Sequence, residues 1–139
     1  MKPLLIPVPR KVTYTGGKSF LGDDLPVAVT DAPELPDEAY ELRIANGSAQ
    51  ICASSEAGVF YARQSLQQLQ EAYGDRIPAQ HITDAPRFKY RGVHMDVVRH
   101  FQDKEFVKKQ LRMFASVKIN TFHFHQSLSA AFSKMRKWL

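Results

Sequence analysis

The feature that most constrains this chain is a strand, a helix and a second strand set into about 36 residues, from Tyr90 to His125. Tyr90 to Val98 reads as a short strand, and Asp103 can cap the helix that follows. Phe106, Val107, Leu111, Phe114 and Val117 form that helix's apolar face. Ile119-Asn120-Thr121-Phe122-His123-Phe124-His125 is the second strand. Such a βαβ unit implies two parallel neighbours in one sheet. One unit cannot cover itself, because a parallel sheet needs helices on its faces and more strands beside it. A complete (β/α)8 barrel takes about 250 residues, whereas 54 follow Ala85. The chain is therefore expected to start a parallel β/α barrel without finishing it.

Upstream the pattern differs. Lys11-Val12-Thr13-Tyr14 and Pro26-Val27-Ala28-Val29-Thr30 are strand-like, with Gly16-Gly17 and Gly22-Asp23-Asp24 read as turns. Residues 31–38, holding Pro33 and Pro36, read as a loop. Tyr40, Leu42 and Ile44 alternate with Glu41 and Arg43, the period of a half-buried strand. Asn46-Gly47 follows, a two-residue hairpin turn whose residues adopt positive φ cheaply. Ala49, Ile51 and Ala53 then alternate back. Ser54 or Ser55 can cap a helix with Val59, Ala62, Leu66, Leu69 and Tyr73 on one face, ended by Gly74. Residues 1–84 are thus expected to form a small α+β domain, an antiparallel sheet with a helix on one face. Ile77 to Pro86, with two prolines, reads as a connector to the β/α part, residues 85–139.

Composition narrows the class. Hydrophobic residues make up 44% and charged residues 24%, a globular balance. No apolar run nears the roughly 18 residues of a membrane helix, and the N-terminus lacks a signal-peptide pattern. On that basis the chain is expected in the cytoplasm if made as it stands, although a complete parent could be exported. Cys52 is the single cysteine, so no internal disulfide can form. The net charge of +5 is uneven: Lys108, Lys109, Arg112, Lys118, Lys134, Arg136 and Lys137 lie beyond Phe106 without any Asp or Glu. Nucleic-acid binding is the sharp reading of that asymmetry; a fragment whose acidic partners lie elsewhere is preferred. Leu128, Phe132, Met135 and Leu139 fall at helical spacing among basic residues. Packing on the βαβ edge or on another subunit is preferred for them over a membrane surface.

Functional groups of β/α folds gather at the C-terminal ends of strands. Arg99, His100 and His125 lie at or just past two such ends, and Asp96 lies within the first strand, where it could face the interior. His123 and His125 share a face. They could bind a metal with further ligands, but packed or hydrogen-bonded histidines are preferred and no metal is expected. His94 reads as a barrel-wall residue, Cys52 as a small buried hydrophobe, and Trp138 as packing.

These residues belong to longer runs. Pro86-Arg87-Phe88-Lys89-Tyr90-Arg91-Gly92, then Met95-Asp96-Val97-Val98-Arg99-His100-Phe101, then Lys104-Glu105-Phe106-Val107, then Lys118 to His125 resemble the start of the barrel of family 20 glycoside hydrolases, the β-N-acetylhexosaminidases. Ile6-Pro7-Val8-Pro9-Arg10-Lys11-Val12 and Glu56-Ala57-Gly58-Val59-Phe60-Tyr61-Ala62-Arg63-Gln64-Ser65-Leu66 resemble the small α+β domain before that barrel. The resemblance implies release of terminal N-acetylhexosamine with retention, the sugar's own acetamido oxygen attacking the anomeric carbon. An Asp would orient the acetamide and a neighbouring Glu would serve as acid and base. It implies that Arg99 matches the arginine that holds hydroxyls of the terminal sugar, that no cofactor is used, and that the partners are N-acetylhexosamine-terminated glycans. Arg99 could instead be structural, pairing Asp96 or capping carbonyls.

Two departures qualify the activity. The family's second strand runs into an acidic loop containing Gly-Trp-Arg, whereas here Gln126-Ser127-Leu128-Ser129-Ala130-Ala131 follows. The small domain goes from Thr30-Asp31-Ala32-Pro33 almost straight to the hairpin, where the family usually has another helix and strand. Both read as truncation. No Asp or Glu follows Glu105, so no carboxylate pair can assemble around the strand ends, and no catalytic residue is assigned. The expected product is an inactive hexosaminidase fragment. The competing reading is a non-catalytic module that self-associates or binds a partner through its open sheet edge.

Overall fold

The computed structural model describes residues 5–20 and 26–126. It divides into two compact units, Met1–Arg87 and Phe88–Leu139.

The first unit holds strands β1 (Lys11–Phe20), β2 (Val27–Asp31), β3 (Tyr40–Ala45) and β4 (Ser48–Ala53), helix α1 (Glu56–Tyr73) and strand β5 (Arg76–Asp84). The hairpin is in place: β3 and β4 pair from Tyr40↔Ala53 to Ala45↔Ser48, and Asn46 and Gly47 take φ of 51° and 73°. The alternation seen in the sequence puts Tyr40, Leu42, Ile44, Ala49, Ile51 and Ala53 inside. Helix α1 lies over them with Tyr61, Ala62, Leu66 and Leu69 buried, while Val59 and Tyr73 flank the core. Ser55 is the cap, its Oγ accepting from Gly58 N at 3.2 Å, and Gly74 closes the helix at φ 64°. At Gly58 the helix comes so close to the sheet that a Cβ there would meet the Ala39 carbonyl oxygen and sit 3.0 Å from Ala53 Cβ.

Three expectations about the strands change. The sheet runs β1-β5-β3-β4-β2 and is mixed, not antiparallel, because β2 pairs parallel to β4. Residues 32–39 carry the chain over the end of β4 to its far side, which reverses β3 relative to β2 and leaves β2 aligned with β4. Gly16 and Gly17 are not a turn. They sit inside β1 at φ of 89° and 75°, where the register against β5 shifts between Tyr14 and Lys18. An irregularity of this kind uses the positive φ that glycine tolerates. The supposed connector at Ile77 is β5, a central strand with Ile77 and Ile82 fully buried. Its Pro78 is tolerated because the ladder to β3 begins only at Gln80, so β5 has a single neighbour at Pro78, namely β1.

A buried polar cluster ties the elements together. The Tyr40 hydroxyl lies 2.6 Å from Ser65 Oγ on α1 and donates to Asp84 Oδ2 at 3.2 Å. Asp84 Oδ1 accepts from the N–H groups of Arg10 and Ala85. The Arg10 side chain continues the clasp onto the carbonyls of Ala85 and Pro86. Burial, then the Asp84 charge, push the Tyr40 phenol well above its ordinary range. Cys52 is half-buried on the sheet face opposite Ile51, not inside as expected.

The second unit holds β6 (Gly92–Asp96), α2 (Lys104–Ser116) and β7 (Thr121–His125). The strands are parallel, Gly92↔Thr121 through Asp96↔His125, which completes the βαβ unit. Asp103 caps α2, its Oδ1 accepting from Phe106 N at 2.7 Å. Phe114 of α2 meets Phe122 of β7, with ring centroids 6.0 Å apart. The rest of the expected apolar face is thinly covered: Val107 and Val117 are half-buried, and Phe106 and Leu111 stay exposed. Two strands about 5 Å apart are narrower than a helix about 10 Å across. Among the described residues no helix is long and apolar enough to cross a membrane. The expected helix from Leu128 to Leu139, and Trp138 with it, lies outside the described residues.

Candidate functional site

The second unit's strands have two unlike ends. At the N-terminal end a backbone clasp fixes them. Asn120 Oδ1 accepts from Arg91 N at 3.0 Å and its Nδ2 donates to Lys89 O at 2.7 Å. The N–H groups of Asn120 and Thr121 donate to Arg91 O. Arg91 Nε reaches Lys118 O at 2.7 Å, and its Nη1 reaches Phe88 O at 2.8 Å. Lys118, at φ 62°, turns the chain from α2 into β7. Asn120 and Arg91 are thus scaffold residues. In the sequence they are only letters in a run, because their partners are main-chain atoms that leave no pattern.

At the C-terminal end three of the expected site residues come together. Asp96, the last residue of β6, is directly opposite His125, the last of β7. Beyond β6 the chain turns back, because Asp96 Oδ1 accepts from Val98 N at 2.9 Å and more weakly from Arg99 N at 3.5 Å. That turn returns the Arg99 side chain to the strand end, where its Nε donates to Asp96 Oδ2 at 2.7 Å. His125 Nδ1 lies 3.5 Å from Asp96 Oδ1. The Val98 N–H above all, against a smaller opposing effect of desolvation, and then Arg99 hold the Asp96 carboxyl down to about 2.

Exposure separates the partners. The Asp96 side chain is 15% exposed and that of Arg99 is 79%. Among the described residues the two terminal nitrogens of Arg99 have no hydrogen-bond partner, so four N–H donors face outward from an anchored guanidinium. His100 is exposed and does not join the group.

The same sheet face carries His94 and His123, ring centroids 4.7 Å apart, with His94 and His125 at 5.8 Å. Register explains this. Residues directly opposite in a parallel pair point to the same side, and His94 pairs with His123. The opposite face presents Val93, Met95, Phe122 and Phe124, and Phe122 is the side chain that meets α2. Among the described residues no three His, Cys, Asp or Glu side chains are placed to hold a metal ion.

Comparison with known proteins gives this geometry a family. Residues 22–85 match the model for glycosyl hydrolase family 20, domain 2, and residues 88–134 match that for the family's catalytic domain. A β-hexosaminidase of Vibrio furnissii is 42% identical over 95 residues, which is 67% of this chain and 16% of the relative. An N,N'-diacetylchitobiase of Vibrio harveyi is 41% identical over 109 residues, 73% of this chain and 12% of the relative. Among solved structures, a family 20 exo-β-N-acetylglucosaminidase from Vibrio harveyi in complex with N-acetylglucosamine superposes with a TM-score of 0.80 at 26% identity, covering 89% of this chain and 25% of that one. The chain therefore spans a small part of the length of its relatives, and the second unit carries the start of their catalytic barrel. These two matched segments together cover most of the sequence, and the chain belongs to glycosyl hydrolase family 20.

Proposed function

We propose that the chain is the N-terminal part of a β-N-acetylhexosaminidase and that its second unit supplies the first sugar-binding group of the active site, Arg99. The complete enzyme would remove terminal N-acetylhexosamine from glycans. The observation that carries this reading is the anchored Arg99 at the C-terminal ends of two parallel strands, the location where β/α barrels do their chemistry. Its free terminal nitrogens present a planar fork suited to neighbouring hydroxyl oxygens. We place the domain boundary at residues 84 and 85, just after β5.

The 139-residue chain is proposed to be inactive by itself. Glycoside hydrolysis needs a carboxyl proton donor at the leaving oxygen and stabilisation of charge at the sugar. Asp96 is committed to Arg99 and to the turn that follows it, and no Asp or Glu follows Glu105. Incubation with an aryl N-acetylglucosaminide is expected to release no aryl alcohol above background. Robust release at ordinary turnover would sink the inactivity claim. A second reading, self-association through the open βαβ unit, is favoured by the exposure of Phe106, Leu111 and Met113 on α2. It predicts a dimer or larger species in sedimentation at micromolar concentration, and a monodisperse monomer would exclude it.

A further inference from the structure

We propose that Asp96 is a positioning residue for Arg99: it takes the guanidinium by Nε alone and so presents both terminal nitrogens, as one fixed fork, to a pair of adjacent sugar hydroxyls. The proposal rests on the reading of Arg99 as a sugar ligand and assigns what makes that arginine effective.

The geometry separates holder from held. Asp96 is fixed on three sides. Its main chain ends β6 opposite His125, Oδ1 accepts from Val98 N at 2.9 Å, and His125 Nδ1 stands 3.5 Å from the same oxygen. That leaves Oδ2 for Arg99 Nε at 2.7 Å. A carboxylate that met an arginine through two nitrogens would occupy at least one terminal nitrogen and turn the fork aside. The single contact at Nε uses one of five donors and leaves four. An arginine with an exposed side chain otherwise samples many rotamers, and binding must freeze them. Here the charge-assisted bond freezes them beforehand, which is how preorganisation raises affinity. The lowered carboxyl pKa agrees, since it keeps Asp96 charged at neutral pH.

The test uses the full chain, labelled with nitrogen-15, and N-acetylglucosamine as the probe. In the unaltered chain the Arg99 Nε–H is expected to exchange with solvent more slowly than that of Arg63, which is exposed on α1. Asp96→Asn keeps an oxygen for the Val98 N–H, so the turn is expected to survive, with backbone amide signals of the second unit reporting it. In that variant the Arg99 Nε–H should lose its protection, and sugar affinity should fall roughly tenfold, the scale of a lost charge-assisted hydrogen bond. Arg99→Ala should weaken binding at least as much. Exchange at Arg99 as fast as at Arg63 in the unaltered chain would overturn the proposal, and so would protection that persists in Asp96→Asn. Protection that behaves as expected, with sugar affinity unchanged in Arg99→Ala, would instead sink the sugar-ligand reading. The two failures are therefore distinguishable.

Discussion

Replacing Gly58 by alanine sets helix propensity against packing, and the structure decides the sign. Gly58 lies in the first turns of α1, where alanine is intrinsically better than glycine by about 1 kcal/mol. By propensity alone, Gly58→Ala should stabilise the protein. The added Cβ, however, would fall less than 3 Å from the Ala39 carbonyl oxygen, with Ala53 Cβ at 3.0 Å on its other side. That oxygen cannot swing aside as a side chain would. It belongs to the residue before β3, and Ala39 N–H is itself held by Pro36 O at 3.0 Å. The helix must therefore lift from the sheet and loosen Tyr61, Ala62 and Leu66 over the core. Overpacking of this kind costs about 1–3 kcal/mol, and a backbone clash belongs at the upper end. Subtracting the propensity gain leaves a net loss of about 2 kcal/mol. For a unit of this size that is a fall of roughly 8–16 °C in melting temperature. Urea and thermal unfolding of the full chain, followed by far-ultraviolet circular dichroism, measure it. Gln70→Ala, on the exposed side of the same helix, is the control and should shift stability by a few tenths of a kcal/mol at most, as about equal helix propensities dictate. Unchanged or increased stability in Gly58→Ala would refute the close approach of α1 to the β3 strand entrance.

Three further outcomes are expected. Tyr40→Phe removes a buried hydroxyl that donates to the Asp84 carboxylate; it should cost about 1.5–3 kcal/mol in urea unfolding, and a loss below about 0.5 kcal/mol would contradict the cluster. The Asp96 carboxyl should titrate near 2, below its ordinary 3.8. Because its folded value is lowered, its contribution to stability is complete above about 3.8 and is lost as pH falls toward 2. Carbon-13 NMR of the carboxyl checks this. In Arg99→Ala the midpoint should rise yet stay below the ordinary value, because the Val98 N–H is the larger cause, and a wild-type midpoint at the ordinary value would refute the arrangement. Asn120→Ala removes two side-chain bonds to the main chain before β6 and should cost about 1–2 kcal/mol; hydrogen exchange at Gly92 to Asp96 should speed up, while the core amides of β3 and β5 keep their protection.

Much of the architecture could be read from residue order alone, because it rests on local rules. Alternation at Tyr40, Leu42 and Ile44, the Asn46-Gly47 turn, the Ser55 and Gly74 caps and the strand-helix-strand run from Gly92 to His125 each depend on a few neighbours in sequence. The βαβ pattern also puts Arg99 and His125 at or just past strand ends. What sequence could not supply was everything that depends on which strands become neighbours. Pro78 argued against a strand until β5 proved to have one neighbour at that point. Gly16-Gly17 looked like a turn because nothing local says that β1 continues past it along β5. The parallel seating of β2 is set by a crossing over β4, a choice made by long-range pairing. The site divides the same way. The sequence by itself put Arg99, His100 and His125 at or just past two strand ends and Asp96 within the first strand, since strand period and chain order place them there. Only the tertiary structure decided that Asp96 grips Arg99 by Nε and leaves its fork open, because that outcome depends on a turn made by a side chain onto its own backbone and on a register between strands 29 residues apart.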